Sequence, residues 1–332
     1  MLARDRTAVL LLATVALIAA GVFASAASAA PRPLGLGGCE EGKTANGVTT
    51  IPIDVFEGEG QAVAVVNMCF AGKGPYPMVI DTGAEFSVIT TRFAKELGLK
   101  PVGSPLGVEG AGCKTKARGY ELESASVGGV ELEGGKVFTV EPPGNERRGP
   151  RGSLGADILS RFGSVKIDFR NETLILGAEE EGPRFKKVKN PPPVPDAMLK
   201  RKPKLTVPMR VDVGPLGVRQ SVKVGVGSTK PQPWLIDTGS SSSEIEPEVV
   251  KRAGLKATGR AQRSHTYCSI VTVPEYQARV LSLASGKLFS QVVGSSKGAA
   301  DGYRGVLGAY SLWQFGSVVF DWPGGKLLLG VG

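Results

Sequence analysis

The sequence predicts a mostly β protein built as two tandem, related domains, and three observations lead there. Gly and Pro supply 46 and 23 of the 332 residues, yet 42% of the chain is hydrophobic. That balance suits short buried strands joined by tight turns, and it excludes a disordered polyelectrolyte. Segments that read as strands, such as 63–70 and 165–176, are rich in β-branched and other apolar residues, whereas helical candidates are few and short. The third observation is an internal repeat. Pro77-Met78-Val79-Ile80-Asp81-Thr82-Gly83-Ala84 returns as Pro233-Trp234-Leu235-Ile236-Asp237-Thr238-Gly239-Ser240, an offset of 156. A period this long is far beyond that of solenoid repeats and marks a duplicated domain.

From the N-terminus, Arg4 and Arg6 precede an apolar run from 8 to about 23, followed by small residues with Ala27-Ser28-Ala29 as the best cleavage site. Residues 1–29 are expected to be a secretory signal peptide, because the run falls short of the roughly 20 apolar residues that span a bilayer. An uncleaved anchor is the alternative. The expected location is secreted or in the cell envelope. Residues 30–47 form an N-terminal segment, and the first domain is placed at 48–177. In the linker, 178–203, an acidic run gives way to Lys186, Lys187 and Lys189, then Pro191-Pro192-Pro193, then Lys200-Arg201-Lys202. Proline at that density favours extended backbone over packed structure. The cations allow contact with an anionic envelope polymer, although charge runs usually stay solvated. The second domain is placed at 204–332.

Within the copies, Gly98-Leu99 maps to Gly254-Leu255 and Tyr120 to Tyr276, both at the offset of 156. Further on the offset becomes 153: Leu154-Gly155-Ala156 matches Leu307-Gly308-Ala309, and Phe162-Gly163-Ser164-Val165 matches Phe315-Gly316-Ser317-Val318. One loop deletion accounts for the slip. Short helices are expected from about Thr91 to Gly98 and from Pro247 to Gly254, with a second pair over 156–162 and 309–315, each ended by glycine.

The chemistry resides in the repeated Asp-Thr-Gly. The chain has a single histidine, His265, which excludes multi-histidine metal sites and argues against a histidine-based triad. One carboxylate near neutral pH is simply ionised, but two carboxyls a few ångströms apart share one proton. The ionised member then serves as general base on a water, and the protonated member donates to a substrate carbonyl. Asp81 and Asp237 are the candidates. Gly83 and Gly239 are expected to allow tight turns that bring backbone N–H groups to each carboxylate. Thr82 and Thr238 are expected to hydrogen-bond across a pseudo-twofold axis. A hydroxyl at Ser240, absent at Ala84, is expected to donate to Asp237 and make it the more readily ionised member.

On these residues the chain resembles the retropepsin-like and pepsin-like aspartic proteases, over about 48–177 and 204–331, each half similar to a bacterial retropepsin-type domain. The resemblance rests on both Asp-Thr-Gly motifs, the Gly-rich segment Gly107-Val108-Glu109-Gly110-Ala111-Gly112, and the apolar-apolar-Gly elements Ser153-Leu154-Gly155 and Val306-Leu307-Gly308. Ser153 is an imperfect match, and the second half lacks a Gly-rich flap. The resemblance implies two β-barrel domains of the acid protease type forming a pseudo-twofold bilobal protein, paired within one chain as a monomer. It implies an endopeptidase acting on protein or peptide substrate, with no cofactor, no metal and no nucleic acid. Gly110 and Gly112 would be flap residues over the substrate. Tyr120 and Tyr276 would either close over substrate or pack on the back of the flap hairpins. The rival reading is a peptide-binding protein that keeps the fold without turnover.

In an exported protein Cys39, Cys69, Cys113 and Cys268 are expected to be disulfides, and their spacing leaves three connectivities open. Cys113 and Cys268 occupy nearly matching flap positions, so Cys113–Cys268 and Cys39–Cys69 are the expected pairs, with separate loop staples as the alternative. Peptide mapping under non-reducing conditions should return a Cys113–Cys268 fragment; a Cys69–Cys113 linkage overturns that pairing.

Overall fold

The computed structural model describes residues 39, 41–110, 113–132, 134–140, 149–178, 191–199, 201–214, 216–266, 269–297 and 302–331. The expected signal peptide, Gly112, Cys268 and much of the linker lie outside the described residues. The protein is mostly β, with two sheets and short helices. No helix among the described residues is long and apolar enough to cross a membrane.

Each half repeats one local plan. In the first, strands Val48–Gly58, Gln61–Phe70 and Lys73–Ile80 form an antiparallel meander. Gly152–Leu154 then runs parallel to Lys73–Ile80, pairing Ser153 with Val79 and Leu154 with Ile80. In the second, Val218–Val226 pairs with Gln232–Asp237. Gly305–Gly308 lies parallel to the latter, with Val306 opposite Leu235 and Leu307 opposite Ile236. Both Asp-Thr-Gly segments therefore leave a central strand wedged between two neighbours. Long hairpins flank each site: Pro101–Gly110 with Cys113–Leu122, and Lys256–His265 with Ile270–Leu283. A hairpin thus forms in the second half without the glycines of the first.

A six-stranded floor joins the halves. Its order is Leu205–Pro208, Lys326–Leu329, Ser317–Asp321, Ser164–Asp168, Thr173–Leu176 and Val48–Gly58, three strands from each half. At its centre Lys166 pairs with Val319, which is its own repeat equivalent at the offset of 153. The pseudo-twofold axis therefore passes through that pair. Side chains alternate across the floor. Val165, Ile167, Val318 and Phe320 face a core shared by both halves, and Ile175, Val319 and Leu328 face the other way. Lys166, fully buried, forms an ion pair with Asp168 at 3.1 Å.

Two expectations are corrected. The segment 165–176 is not one strand but a hairpin, Ser164–Asp168 and Thr173–Leu176. Asp168 Oδ1 accepts from Asn171 N at 3.1 Å and turns the chain, as Asp321 does with Gly324 N at 2.8 Å in the second half. The second correction concerns the linker. Residues 191–199 include a 3₁₀ turn, Asp196–Met198, that buries Met198 completely under the floor beside Val48, Val319 and Leu328. Extended proline-rich backbone delivers this apolar turn to a surface that would otherwise be exposed.

The helices start and stop on local signals. Thr90 caps Thr91–Glu96 by accepting from Phe93 N at 3.1 Å, and Pro247–Ala253 ends on Gly254 with φ of 59°. The helix Ala309–Trp313 packs on strand Gln61–Phe70 of the other half, which adds a second inter-half contact. Cys39 is bonded to Cys69, with Cα atoms 5.6 Å apart, so the start of the described chain is stapled to the core strand Gln61–Phe70. Met198→Ala should lower the unfolding free energy by about 2–5 kcal/mol, as for other large-to-small core changes. Chemical denaturation measures it, and an unchanged midpoint would contradict the packed linker.

Candidate active site

Asp81 and Asp237 emerge from the ends of matching strands, each beside the parallel strand of its half; Asp81 N donates to Leu154 O at 3.0 Å. The two loops interlock through their threonines. Thr82 N donates to Thr238 Oγ1 at 3.0 Å and Thr238 N to Thr82 Oγ1 at 3.1 Å. Each hydroxyl in turn donates to the opposite strand, Thr82 Oγ1 to Ile236 O at 3.1 Å and Thr238 Oγ1 to Ile80 O at 2.7 Å. All four groups are buried, where an unmade hydrogen bond costs about 1–3 kcal/mol, so this reciprocity strongly disfavours separating the loops.

The turns at the glycines bring backbone N–H groups to each carboxyl, as expected, and the glycines have a second role as well. Neither Gly83 nor Gly239 has a positive φ. A Cβ on Gly83 would lie 2.2 Å from Asp237 Cγ, and one on Gly239 would lie 2.4 Å from Asp81 Cγ. Each glycine is the space that the opposite carboxyl occupies, which brings both aspartates to the axis.

The two carboxyls are buried, with 0% and 1% exposure, and are not supported equally. Asp237 Oδ1 accepts from Gly239 N and Ser240 N, both at 2.9 Å. Asp81 Oδ1 accepts from Ala84 N at 2.9 Å, and Asp81 Oδ2 has no hydrogen-bond partner among the described residues. Burial pushes Asp237 up to about 6, opposed by the N–H groups of Ser240 and Gly239. Burial also raises Asp81 well above the usual carboxylate range, and the adjacent charge of Asp237 adds to it. Two N–H donors against one favour the charge on Asp237, and the Ser240 hydroxyl adds nothing to this because it donates to Ser242 O at 2.9 Å instead.

Several residues that sequence reasoning missed hold the loops. Gln220 is fully buried; its Nε2 donates to Thr82 O and to Ile236 O, the latter at 3.2 Å. Its Oε1 accepts from Trp322 Nε1 at 3.2 Å. A signal existed: Gln220 shares its strand face with Val218, Val222 and Val224, where an amide is out of place unless it has partners. At the matching position the first half has Ala64. Arg219 Nη2 lies 3.1 Å from Glu85 Oε2, a largely buried ion pair between halves whose matching positions are Val63 and Ser241. Behind the loops, Ser87 Oγ donates to Asp157 Oδ1 at 2.8 Å and accepts from Gly155 N at 2.9 Å. Ser243 does the same work with Ser311 at 2.8 Å and Gly308 N at 3.0 Å.

The hairpins sit on these loops. Val108 and Ala117 pack against Ala84 and Phe86. In the second half Gln262 Nε2 donates to Ser242 Oγ at 2.9 Å and Ser264 Oγ to Glu244 Oε1 at 3.1 Å. Tyr120 lies in the main core at the hairpin base and Tyr276 packs against the same core, so the packing alternative describes them and neither hangs over the carboxyls. Gly110 ends its strand at the hairpin tip, paired with Cys113. The side chain of Cys113 and all of Cys268 lie outside the described residues, as does the linkage expected between them.

Comparison with known proteins agrees at the level of one segment. Residues 66–158 match the family model described as aspartyl protease, under a third of the chain. None of the curated proteins matches the chain. Among solved structures, basic 7S globulin from soybean is similar at 11% identity and TM-score 0.44, over 87% of this chain and 96% of that one. Conglutin gamma, a basic 7S globulin from lupine seeds, is similar at 10% identity and TM-score 0.42, over 85% and 94%. A retropepsin-like aspartic protease from Rickettsia conorii is similar at 15% identity and TM-score 0.27, over 38% and 88%.

A carboxyl whose folded pKa is raised binds more protons folded than unfolded between its two pKa values, so stability falls as pH rises through that window. For Asp237 the window runs from 3.8 to about 6. Asp237→Asn should therefore unfold a few degrees above the parent at pH 7.5, with the gap closing near pH 4. A gap independent of pH in thermal unfolding would contradict this.

Proposed function

We propose that the chain is an exported aspartic endopeptidase in which Asp81 and Asp237, one from each half of a single chain, activate one water between them. The observation that carries this reading is the mutual placement of the carboxyls: each occupies the space of the other loop's missing Cβ, buried on the axis where the halves interlock. Two carboxyls so placed share one proton. Asp237, with two N–H donors, is the ionised member and removes a proton from the water. Asp81 holds the shared proton and donates it to the peptide carbonyl as the tetrahedral carbon forms. The leaving amine then takes a proton from the dyad, and no covalent enzyme intermediate is needed. The family match over 66–158 supports the first half of this assignment. Export is supported by the N-terminal pattern and by the Cys39–Cys69 disulfide, which belongs to an oxidising compartment.

The singly ionised dyad exists above the lower pKa and below the higher one. Because both are raised by burial, the rate should climb through about pH 6 rather than peak in strong acid. The test is digestion of an unfolded protein mixture by the mature chain from pH 3 to 8, beside Asp81→Asn and Asp237→Asn. Cleavage by the parent alone, with an acid limb near pH 6, is expected. If none of the three cleaves, before or after mild reduction, the peptide-binding reading replaces this one.

A further inference from the structure

The two halves differ in how many donors reach their carboxyls, and one side chain stands where the deficit lies. Asp237 has two backbone N–H donors and Asp81 one. Ser153, on the strand parallel to the one that carries Asp81, is wholly buried, and its hydroxyl has no hydrogen-bond partner among the described residues. Its register partner is Val79, two residues before Asp81, so both side chains project from the same face as the carboxyl. Asp81 Oδ2 is likewise buried without a partner, and the Ser153 hydroxyl acts on that carboxyl in the direction of favouring its charge. At the matching place the second half has Val306, in the same register beside Leu235. A hydroxyl therefore appears only in the half that lacks a second N–H. Orphaned buried polar atoms are rare in folded proteins, and two of them on one strand face are natural partners for each other.

We propose that Ser153 is a positioning residue for the dyad: its hydroxyl donates to Asp81 Oδ2 and supplies, in the first half, the second hydrogen bond that the backbone supplies in the other. This rests on the reading of Asp81 and Asp237 as the working pair. Its consequence is that Ser153 limits how tightly Asp81 holds the shared proton, and so sets the upper edge of the active pH range. The lower edge belongs to Asp237. Of the other charged groups near the pair, Glu244 faces Asp237 and is held by Ser296 and Ser264. Glu85 is paired with Arg219, and Asp157 is held by Ser87 with Arg161 nearby. Each of these three carboxyls has its own donors, which leaves Ser153 to act on Asp81.

The discriminating variants are Ser153→Val and Ser153→Thr, which share a shape and differ by the hydroxyl alone. Ser153→Val should move the alkaline limb of the cleavage profile up by about one pH unit, the scale of one hydrogen bond to a charged group. The acid limb near pH 6 should stay, and Ser153→Thr should follow the parent. A second readout needs no turnover. A folded pKa raised further makes stability fall more as pH rises, so Ser153→Val should lose melting temperature relative to Ser153→Thr above pH 6 and match its trend below pH 4. Ser153→Ala replaces the valine variant if that one does not fold. Identical pH dependence of unfolding across the variants overturns the role of Ser153 whatever the protease assay gives. Absence of cleavage in the parent overturns the protease reading and leaves the unfolding comparison standing.

Discussion

Everything at the site depends on the reciprocal threonine lock. Four hydrogen bonds join Thr82 and Thr238 to each other's backbone and to the strand carbonyls of Ile80 and Ile236, with no solvent to replace them. The lock holds two strand ends from different halves within touching distance. The missing Cβ of each glycine then decides that what touches is the opposite carboxyl. Two acids would not be buried side by side without such a constraint, because their repulsion and desolvation oppose it. The stability of the lock offsets that cost, and the raised proton affinity of both acids is what remains of the conflict.

The lock needs a rigid base, and the floor supplies it. The pseudo-twofold axis runs from the Lys166–Val319 pair to the threonines, so the same symmetry operation governs both ends of the molecule. Three strands from each half share one hydrogen-bonded sheet and one core. Gln220 reinforces the upper end by reaching both loops from beneath while Trp322 fixes its amide. The lower end is closed by the linker's own Met198. The segment that connects the halves in sequence is thus also a cover for the sheet that connects them in space.

Much of this was legible in the chain because an internal repeat turns one weak motif into a pair with fixed spacing. The offsets of 156 and 153 point directly to Asp81 and Asp237, to the glycine-ended helices and to the matching elements Leu154-Gly155-Ala156 and Leu307-Gly308-Ala309. What was not legible depends on contacts that no period records. The turn after Asp168 is a single side-chain hydrogen bond inside an apolar run, so the run reads as one strand. Met198 lies in a short apolar run, Ala197-Met198-Leu199, within a charged, proline-rich stretch, and its burial requires knowing where the floor lies. The Ser240 hydroxyl donates to the Ser242 carbonyl, a local backbone acceptor that the sequence does not distinguish from the Asp237 carboxyl. Gln220 was detectable only as an amide on an otherwise valine face.

The pseudo-twofold arrangement also limits where the halves can differ. Symmetric positions that bear the lock and the carboxyls leave little freedom, since a change in one half must still fit its partner across the axis. Positions one step away are free to differ: Ala64 faces Gln220's place, Val63 and Ser241 stand where the other side has the Arg219–Glu85 ion pair, and Ser153 stands opposite Val306. A symmetric dimer of identical chains must present the same groups on both sides of its dyad and can distinguish the two carboxyls only when substrate binds. A single chain removes that restriction. Asp237 receives two N–H donors and Asp81 one before any substrate arrives, so the inequality of the two acids is built into the covalent structure. The fold keeps the symmetry that brings the acids together and gives up the symmetry that would make them alike.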